Sequence, residues 1–139
     1  MLSIDSVGKG VVIDHIRAGT AMRIYHYLNL DGLDCSVAII KNVRSGKLGK
    51  KDIIKIEDRV DLDLNMLGYM DPGATVNIIE GGLITAKLKL SLPDKLVNIL
   101  ICKNPRCITS IEQGIAQVFT LCDKQQKIYR CIYCEQENN

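Results

Sequence analysis

Two closely spaced pairs of cysteines near the carboxyl end are the residues of this sequence with the most distinctive chemistry. Residues 102–107 read CKNPRC and residues 131–134 read CIYC, with 23 residues between the second and the third of these cysteines. Such pairs can form disulfides, a redox centre, reactive thiols or a metal site. Two cysteine turns separated by a short stretch are typical of four thiolates around one zinc ion.

The other interpretations of the cysteine pairs have less support. A disulfide framework belongs to secreted proteins, and the first residues, MLSIDSVGKGVVIDH, lack the pattern of a signal peptide. A thioredoxin-like centre uses one CxxC beside a βαβ unit, and a redox-active iron site has no independent support. Coincidental buried cysteines remain the main alternative to zinc. The predicted zinc ligands are Cys102, Cys107, Cys131 and Cys134.

The predicted zinc is structural rather than catalytic. A catalytic zinc keeps one coordination position open for water, whereas four cysteines fill all four positions. His15 and His26 lie far from the cysteine pairs in sequence. The metal would allow a segment of about 40 residues to fold, a length at which an apolar core alone seldom suffices.

Composition and net charge argue against two classes of protein, nucleic-acid binders and membrane-spanning proteins. The chain has 139 residues, of which 47% are hydrophobic and 24% charged, with a formal net charge of +2. This balance argues against a nucleic-acid partner, and the longest apolar stretch is too short to cross a membrane. We therefore expect a cytoplasmic protein.

Hydrophobic periodicity and turn residues predict two domains, residues 1–92 and 98–139, joined by a linker over residues 91–98. In the first domain the pattern predicts strands over 10–16, 35–43, 52–58, 74–80 and 83–92, and helices over 21–30 and 61–70, with a glycine- and lysine-rich loop over 44–51. The order βαββαββ predicts an α+β, ferredoxin-like sandwich, an antiparallel sheet with two helices on one face. The second domain is predicted to be a small zinc-bound all-β domain whose first strand covers 97–102.

Several polar residues interrupt the apolar strands of the first domain. Asp14, His15, Lys55, Asn77 and Lys87 all lie within predicted strands. One interpretation places each of them on the solvent side of a half-exposed sheet. The other brings several together at one end of the sheet, where lysines would hold phosphates and an aspartate a ribose hydroxyl. The spacing of these residues alone does not decide between the two interpretations.

The ordered set of motifs VIDHI, GKLGKKDIIKIE, ATVNII, SLP and C-x4-C…C-x2-C resembles the regulatory chains of aspartate carbamoyltransferase over essentially the whole sequence. The resemblance implies a non-catalytic subunit with an allosteric nucleotide-binding domain, which pairs with a second regulatory chain, and a zinc domain that docks on the catalytic chain. Three regulatory dimers would bridge two catalytic trimers. CTP, with UTP as helper, and ATP would act as allosteric effectors of pyrimidine biosynthesis.

The resemblance also implies which residues bind nucleotide. Ile4 and Asp5 correspond to the segment that lines the base, and Lys51 to a lysine beside the triphosphate. The positions that match the nucleotide site are Ile4, Asp5, Asp14, His15, Lys51, Lys55, Asn77, Ile79, Ile84 and Lys87.

Two alternative functions have less support in the sequence than an allosteric subunit. A zinc-ribbon adaptor for nucleic acid would need a basic, aromatic-studded surface, but only 4% of the residues are aromatic. A free-standing sensor or enzyme would need a catalytic constellation, and no GxSxG, P-loop, GxGxxG or HExxH motif is present. An allosteric subunit is the favoured function.

Overall fold

The computed structural model describes residues 8–46 and 49–138, which divide into two compact units, Met1–Ser91 and Leu92–Asn139. Ile4 and Asp5, two of the predicted nucleotide-binding residues, lie outside the described residues. No helix in the described part of the chain is long and apolar enough to cross a membrane.

The first unit follows the predicted order βαββαββ. Its strands are β1 (Gly10–Arg17), β2 (Val37–Ser45), β3 (Gly49–Ile56), β4 (Thr75–Glu80) and β5 (Leu83–Lys89), and its helices are α1 (Ala21–Tyr27) and α2 (Leu64–Met70). The strands form an antiparallel sheet in the order β2-β3-β1-β4-β5. This is the predicted ferredoxin-like arrangement: β3 lies between β1 and β2, which are joined through α1, and β1 lies between β3 and β4, which are joined through α2.

Both helices pack on the same face of the sheet. Ile24 of α1 and Leu67 of α2 are fully buried in one cluster with Ile13 of β1 and Ile54 of β3. Because side chains alternate along a strand, every second residue of β1 and β3 enters this core. We call the opposite side of the sheet the open face.

Two β-bulges interrupt this alternation. The register of β1 shifts between Ile13 and Ile16, and His15 has a φ of 56°. The register of β2 shifts between Ile40 and Val43, and Asn42 has a φ of 61°. A bulge inserts one extra residue and reverses the facing of all later ones, so Ile16 returns to the core although it lies three positions after Ile13.

Several predicted boundaries were wrong. The loop predicted over 44–51 is largely the end of a hairpin, because Ser45 pairs with Gly49 and Arg44 with Lys50. The helix predicted over 61–70 begins at Leu64, where the Asp63 carboxylate accepts a hydrogen bond from the Met66 N–H at 3.0 Å and so caps the helix. The helix predicted over 21–30 ends at Tyr27, and a 3-10 turn, Leu30–Gly32, follows.

The second unit contains a small antiparallel sheet. Its elements are β6 (Lys95–Val97), α3 (Ile108–Ile111), β7 (Val118–Asp123) and β8 (Ile128–Cys131), with strand order β6-β7-β8. Leu96, Phe119 and Tyr129 are its fully buried large side chains among the described residues. The Tyr129 hydroxyl donates a hydrogen bond to the Pro93 carbonyl at 2.6 Å.

The first strand of this sheet is not the predicted one. A strand was expected over 97–102, but β6 ends at Val97, within the stretch that was predicted to be a linker. The residue after Val97 is Asn98, which has a positive φ of 57°. Its side-chain Oδ1 accepts the Gln117 N–H at 2.9 Å, so the chain turns here instead.

Candidate metal centre and polar sheet face

The four predicted ligands of the metal meet at one point of the second unit. Their sulfur atoms all lie within 4.8 Å of one another. Cys102 and Cys107 flank the turn before α3, whereas Cys131 is the last residue of β8 and Cys134 follows in the next turn. Two turns that are distant in sequence are therefore brought together by the β7–β8 hairpin.

The spacing of the sulfurs fits a tetrahedral metal. The Sγ atoms of Cys102 and Cys134 are 3.6 Å apart, and those of Cys107 and Cys131 are 3.7 Å apart. Zinc–sulfur bonds of about 2.3 Å give a tetrahedral edge of about 3.8 Å. A disulfide requires about 2.05 Å, so these cysteines are free thiols arranged around a common centre. Four sulfur donors in this geometry suit zinc or an iron centre.

Hydrogen bonds and burial divide the four thiols of the metal-free cluster into two kinds. The Thr109 hydroxyl donates to Cys107 Sγ at 3.1 Å and lowers the pKa of that thiol. A hydrogen bond from the side chain of Asn104 lowers the pKa of Cys134 to about 7. Burial raises the pKa of Cys102 to about 12 and raises the pKa of Cys131 as well. A metal cation would hold all four as thiolates.

The other two cysteines lie outside this cluster. Cys35 is half-buried and packs against the core of the first unit, and Cys122 is exposed on β7. Neither was predicted to have a special role. Cys122 therefore provides a matched control for substitutions within the cluster.

Three of the predicted nucleotide-binding residues lie in one row across the open face. In the register of the sheet, Lys55 of β3 is opposite Val12 of β1, Val12 is opposite Asn77 of β4, and Asn77 is opposite Lys87 of β5. Directly opposed residues have Cβ atoms about 4.5–5.5 Å apart. The row thus carries two ammonium groups on either side of a side-chain amide.

A second group of predicted residues lies beside this row, at the end of β1. Lys51 Nζ is 2.9 Å from Asp14 Oδ1, and His15 Nδ1 is 3.0 Å from the Thr75 hydroxyl. Burial alone would raise the pKa of Asp14, but the hydrogen bonds from the Lys51 ammonium and from the backbone N–H of His15 outweigh it, and the pKa is lowered. Asp14 and Lys51 are thus held as an ion pair on the open face.

The opposite end of the same face is apolar. Ile79 of β4 is opposite Ile84 of β5 and lies two residues beyond Asn77. Two residues along a strand correspond to about 7 Å. The open face therefore changes from charged, at Lys51 and Asp14, through the row of Lys55, Asn77 and Lys87, to apolar.

Asn77 has an unusual environment for a polar residue on this face. Its side chain is only 9% exposed, and its Oδ1 atom accepts no hydrogen bond within the described part of the chain. A buried acceptor without a partner costs free energy, about 1–3 kcal/mol. Orphaned groups of this kind are rare in folded proteins and often mark a site where a ligand supplies the missing donor.

A cleft of about 690 Å³ lies next to the charged end of the open face. It is lined by His15, Arg17, Ala18, Gly49, Lys50, Asp71 and Gly73. The carboxylate of Asp71 accepts hydrogen bonds from the backbone N–H groups of Arg17 and Gly73, at 2.7 and 3.2 Å. The cleft therefore contains two cationic side chains, Arg17 and Lys50, together with the Asp71 carboxylate.

Sequence reasoning missed one residue near this site, Asp52. It is fully buried, and its carboxylate accepts three backbone hydrogen bonds. One signal was available in the sequence: Asp52 alternates with Ile54 and Ile56 along β3, so its side chain lies on the same, core-facing side of the strand as theirs. A charged residue at such a position is almost never buried without dedicated partners.

Comparisons with known proteins cover both units. Residues 2–91 match the family model described as aspartate carbamoyltransferase regulatory chain, allosteric domain, and residues 94–139 match the metal binding domain of the same regulatory chain.

Individual relatives give the same result. The chain is 53% identical over 137 residues to the aspartate carbamoyltransferase regulatory chain of Clostridium tetani, with 98% of this chain and 95% of the relative covered. It is 50% identical over 136 residues to that of Clostridium botulinum (98% and 93% covered) and 42% identical over 136 residues to that of Bifidobacterium longum (98% of both covered). The chain therefore belongs to the family of aspartate carbamoyltransferase regulatory chains, with an allosteric domain followed by a metal-binding domain.

Proposed function

We propose that this chain is a non-catalytic, cytoplasmic subunit that binds CTP, UTP and ATP on the open face of its first unit and joins catalytic trimers through its second unit. The observation that carries the proposal is the arrangement of the open face, where cations, a buried amide oxygen with no partner among the described residues and an apolar pair follow one another. Membership of the family indicates that the regulated enzyme is aspartate carbamoyltransferase.

The order of groups on the open face suits a nucleoside triphosphate. Lys51, Lys55 and Lys87 are point charges for the phosphates, a task for which lysine is well suited. The apolar pair of Ile79 and Ile84 offers a surface for the base at the other end. Oδ1 of Asn77, between the two, is free to accept a hydrogen bond from a ribose hydroxyl or an exocyclic amino group.

A site that accepts both a purine and a pyrimidine must derive most of its affinity from the ribose and phosphates that they share. Different effects of ATP and CTP on the enzyme then require that each nucleotide prefers a different quaternary state. Such a coupling is typically about 1–3 kcal/mol. Backbone groups of the segment that includes Ile4 and Asp5 are proposed to distinguish the bases.

The metal is proposed to be one structural zinc ion per chain, held by Cys102, Cys107, Cys131 and Cys134. When bound, zinc cross-links the turn before α3 to the end of the β7–β8 hairpin, and its binding free energy stabilises the fold of the second unit. Three large buried side chains are a small core for this unit, so the cross-link is needed. No position remains open for a substrate or water.

The surface around the cysteine cluster is proposed to dock on the catalytic chain. Exposed large apolar side chains lie within four positions of the cluster cysteines in sequence; they are Ile101 (74% exposed), Ile108 (39%), Ile111 (66%), Ile132 (46%) and Tyr133 (45%). Exposed apolar side chains support an interaction surface when they form a patch. With a second regulatory chain paired through the first unit, three such dimers would bridge two catalytic trimers.

Sedimentation velocity tests the subunit role. The full chain is mixed with catalytic trimer from the same source, with zinc bound and after its removal. We expect a zinc-dependent shift to a species far heavier than the trimer. Cys107→Ser should abolish this shift, whereas Cys122→Ser, outside the cluster, should retain it. Absence of a heavy species with zinc fully loaded would reject the bridging role, and calorimetric titration with CTP and ATP would then test the nucleotide site separately.

A further inference from the structure

Asp52 is a buried carboxylate for which the proposed function has no direct use. It lies on β3, is 0% exposed and faces the helical side of the sheet, opposite Ile16 of β1. Its Oδ2 atom accepts hydrogen bonds from the N–H groups of Gly19 and Ala21 at 2.9 and 3.2 Å, and its Oδ1 atom accepts one from Asn42 N–H at 2.9 Å. Burial of a charged carboxylate is costly unless it is hydrogen-bonded, and these three N–H groups supply the hydrogen bonds.

The three donors lie in two segments on either side of β3. Gly19 and Ala21 form the junction between β1 and α1, just after the first bulge. The residue between them, Thr20, makes no side-chain capping hydrogen bond to α1, so Asp52 supplies the acceptor for the start of this helix. Asn42 is the positive-φ residue of the bulge in β2. A single side chain thus ties β3 to the bulge of β2 and to the segment that follows the end of β1.

Lys51, the preceding residue, lies on the other side of the sheet. Its ammonium is 2.9 Å from Asp14 Oδ1, and its side chain is only 16% exposed. In register, Lys51 is opposite Arg17 of β1 and Val43 of β2, each of which follows the bulge of its strand. The residues on either side of Lys51 therefore adjoin the segments that Asp52 holds: Arg17 lies two positions before Gly19, and Val43 follows Asn42.

We propose that Asp52 is a positioning residue for nucleotide binding: it fixes the bulge of β2 and the β1–α1 junction on either side of β3 and thereby holds Lys51 beside Asp14, ready to receive phosphate. This rests on the proposed nucleotide site. Asp52 itself touches no ligand, because it is buried on the opposite face. A site that binds a flexible triphosphate gains affinity when its cations are held in place by supporting contacts.

A double-mutant cycle tests the proposal with the full-length, zinc-loaded chain and with CTP and ATP as titrants. The variants are Asp52→Asn, Lys51→Ala and the combination. An amide cannot accept on both of its atoms, so Asp52→Asn loses at least one of the three hydrogen bonds. We expect it to weaken the binding of both nucleotides about fivefold in the native background and by less than about 1.5-fold when Lys51 is alanine. In the Lys87→Ala background the fivefold loss should persist.

A second readout is independent of nucleotide. The carboxyl pKa of Asp14, followed by NMR, should rise in Asp52→Asn because the Lys51 ammonium is no longer held beside it. A loss of stability alone would not move this value. If Asp52→Asn does not fold, Asp52→Glu, which keeps the charge but displaces it by one methylene, takes its place in the same cycle.

The outcomes separate the two hypotheses. Equal loss of affinity with and without Lys51, or native affinity and an unchanged Asp14 pKa in the variant, would overturn the role of Asp52 while leaving the nucleotide site intact. No binding of CTP or ATP by the native chain would overturn the proposed function, and this inference with it.

Discussion

Replacement of Asn77 by leucine should stabilise the first unit and weaken nucleotide binding at the same time. Asn77 is 9% exposed, and its Oδ1 atom has no hydrogen-bond partner among the described residues. Leucine has nearly the same shape without the acceptor, and it would pack beside Val12 and the aliphatic stem of Lys87, its neighbours in register.

The size of both effects follows from the unpaired acceptor. An unsatisfied buried acceptor costs about 1–3 kcal/mol, and its removal should recover about 1–2 kcal/mol of unfolding free energy. For a domain of this size, 1 kcal/mol raises the Tm by about 4–8 °C. Loss of one neutral hydrogen bond to a ligand, about 1 kcal/mol, should weaken CTP and ATP binding about three- to tenfold.

Calorimetry measures both quantities on the zinc-loaded chain. Differential scanning without nucleotide gives the Tm of the first unit, and isothermal titration gives the two affinities. Thr75→Val is the matched control: its hydroxyl lies on the same strand and has a partner, His15 Nδ1 at 3.0 Å, so its removal should lower the Tm. A lower Tm for Asn77→Leu together with unchanged nucleotide affinity would refute the reasoning, because Oδ1 would then have a structural partner in solution.

Three further predictions concern the cations, the metal and the pH dependence. Lys87→Ala should weaken the binding of ATP and of CTP by a similar factor, about tenfold by titration calorimetry, since the phosphates are common to both. Lys95→Ala, in the second unit, is the control. An effect on the binding of one nucleotide alone would contradict a contact between Lys87 and the phosphates. Removal of the metal by a chelator should unfold the second unit and leave the first folded, as followed by NMR, because metal binding there is coupled to folding; retention of the β7–β8 signals without metal would contradict this. The pKa of Asp14 is lowered in the folded chain, so its contribution to stability is present above the ordinary value of 3.8 and is lost as the pH falls through the lowered value. Asp14→Asn should therefore make the Tm less sensitive to pH below about pH 4, and an unchanged acid dependence would show that Asp14 is not stabilised by Lys51.

Local pattern was sufficient to predict most of the elements. Local patterns, such as the β-branched run of β1 and the alternating polarity of β3, predicted the five strands described in the first unit, and helical spacing predicted α1 and α2. The cysteine spacing predicted the group that the structure brings together, since four thiolates in two turns leave few other arrangements. Boundaries were less accurate: β6 (Lys95–Val97) overlaps the strand predicted over 97–102 at Val97 alone, because Asn98 turns the chain through a contact with Gln117 that is distant in sequence.

The sequence by itself determined the βαββαββ order, the cysteine cluster and, through its motifs, the family. Only the tertiary structure decided which polar strand residues share a face, because facing depends on the bulges in β1 and β2 and on the pairing of strands distant in sequence. It placed Lys55, Asn77 and Lys87 in one row, left Oδ1 of Asn77 buried without a partner among residues 8–46 and 49–138, and showed that Asp52 lies among backbone N–H groups rather than in solvent. Each of these facts arises from long-range contacts, which alternation along a single strand does not encode.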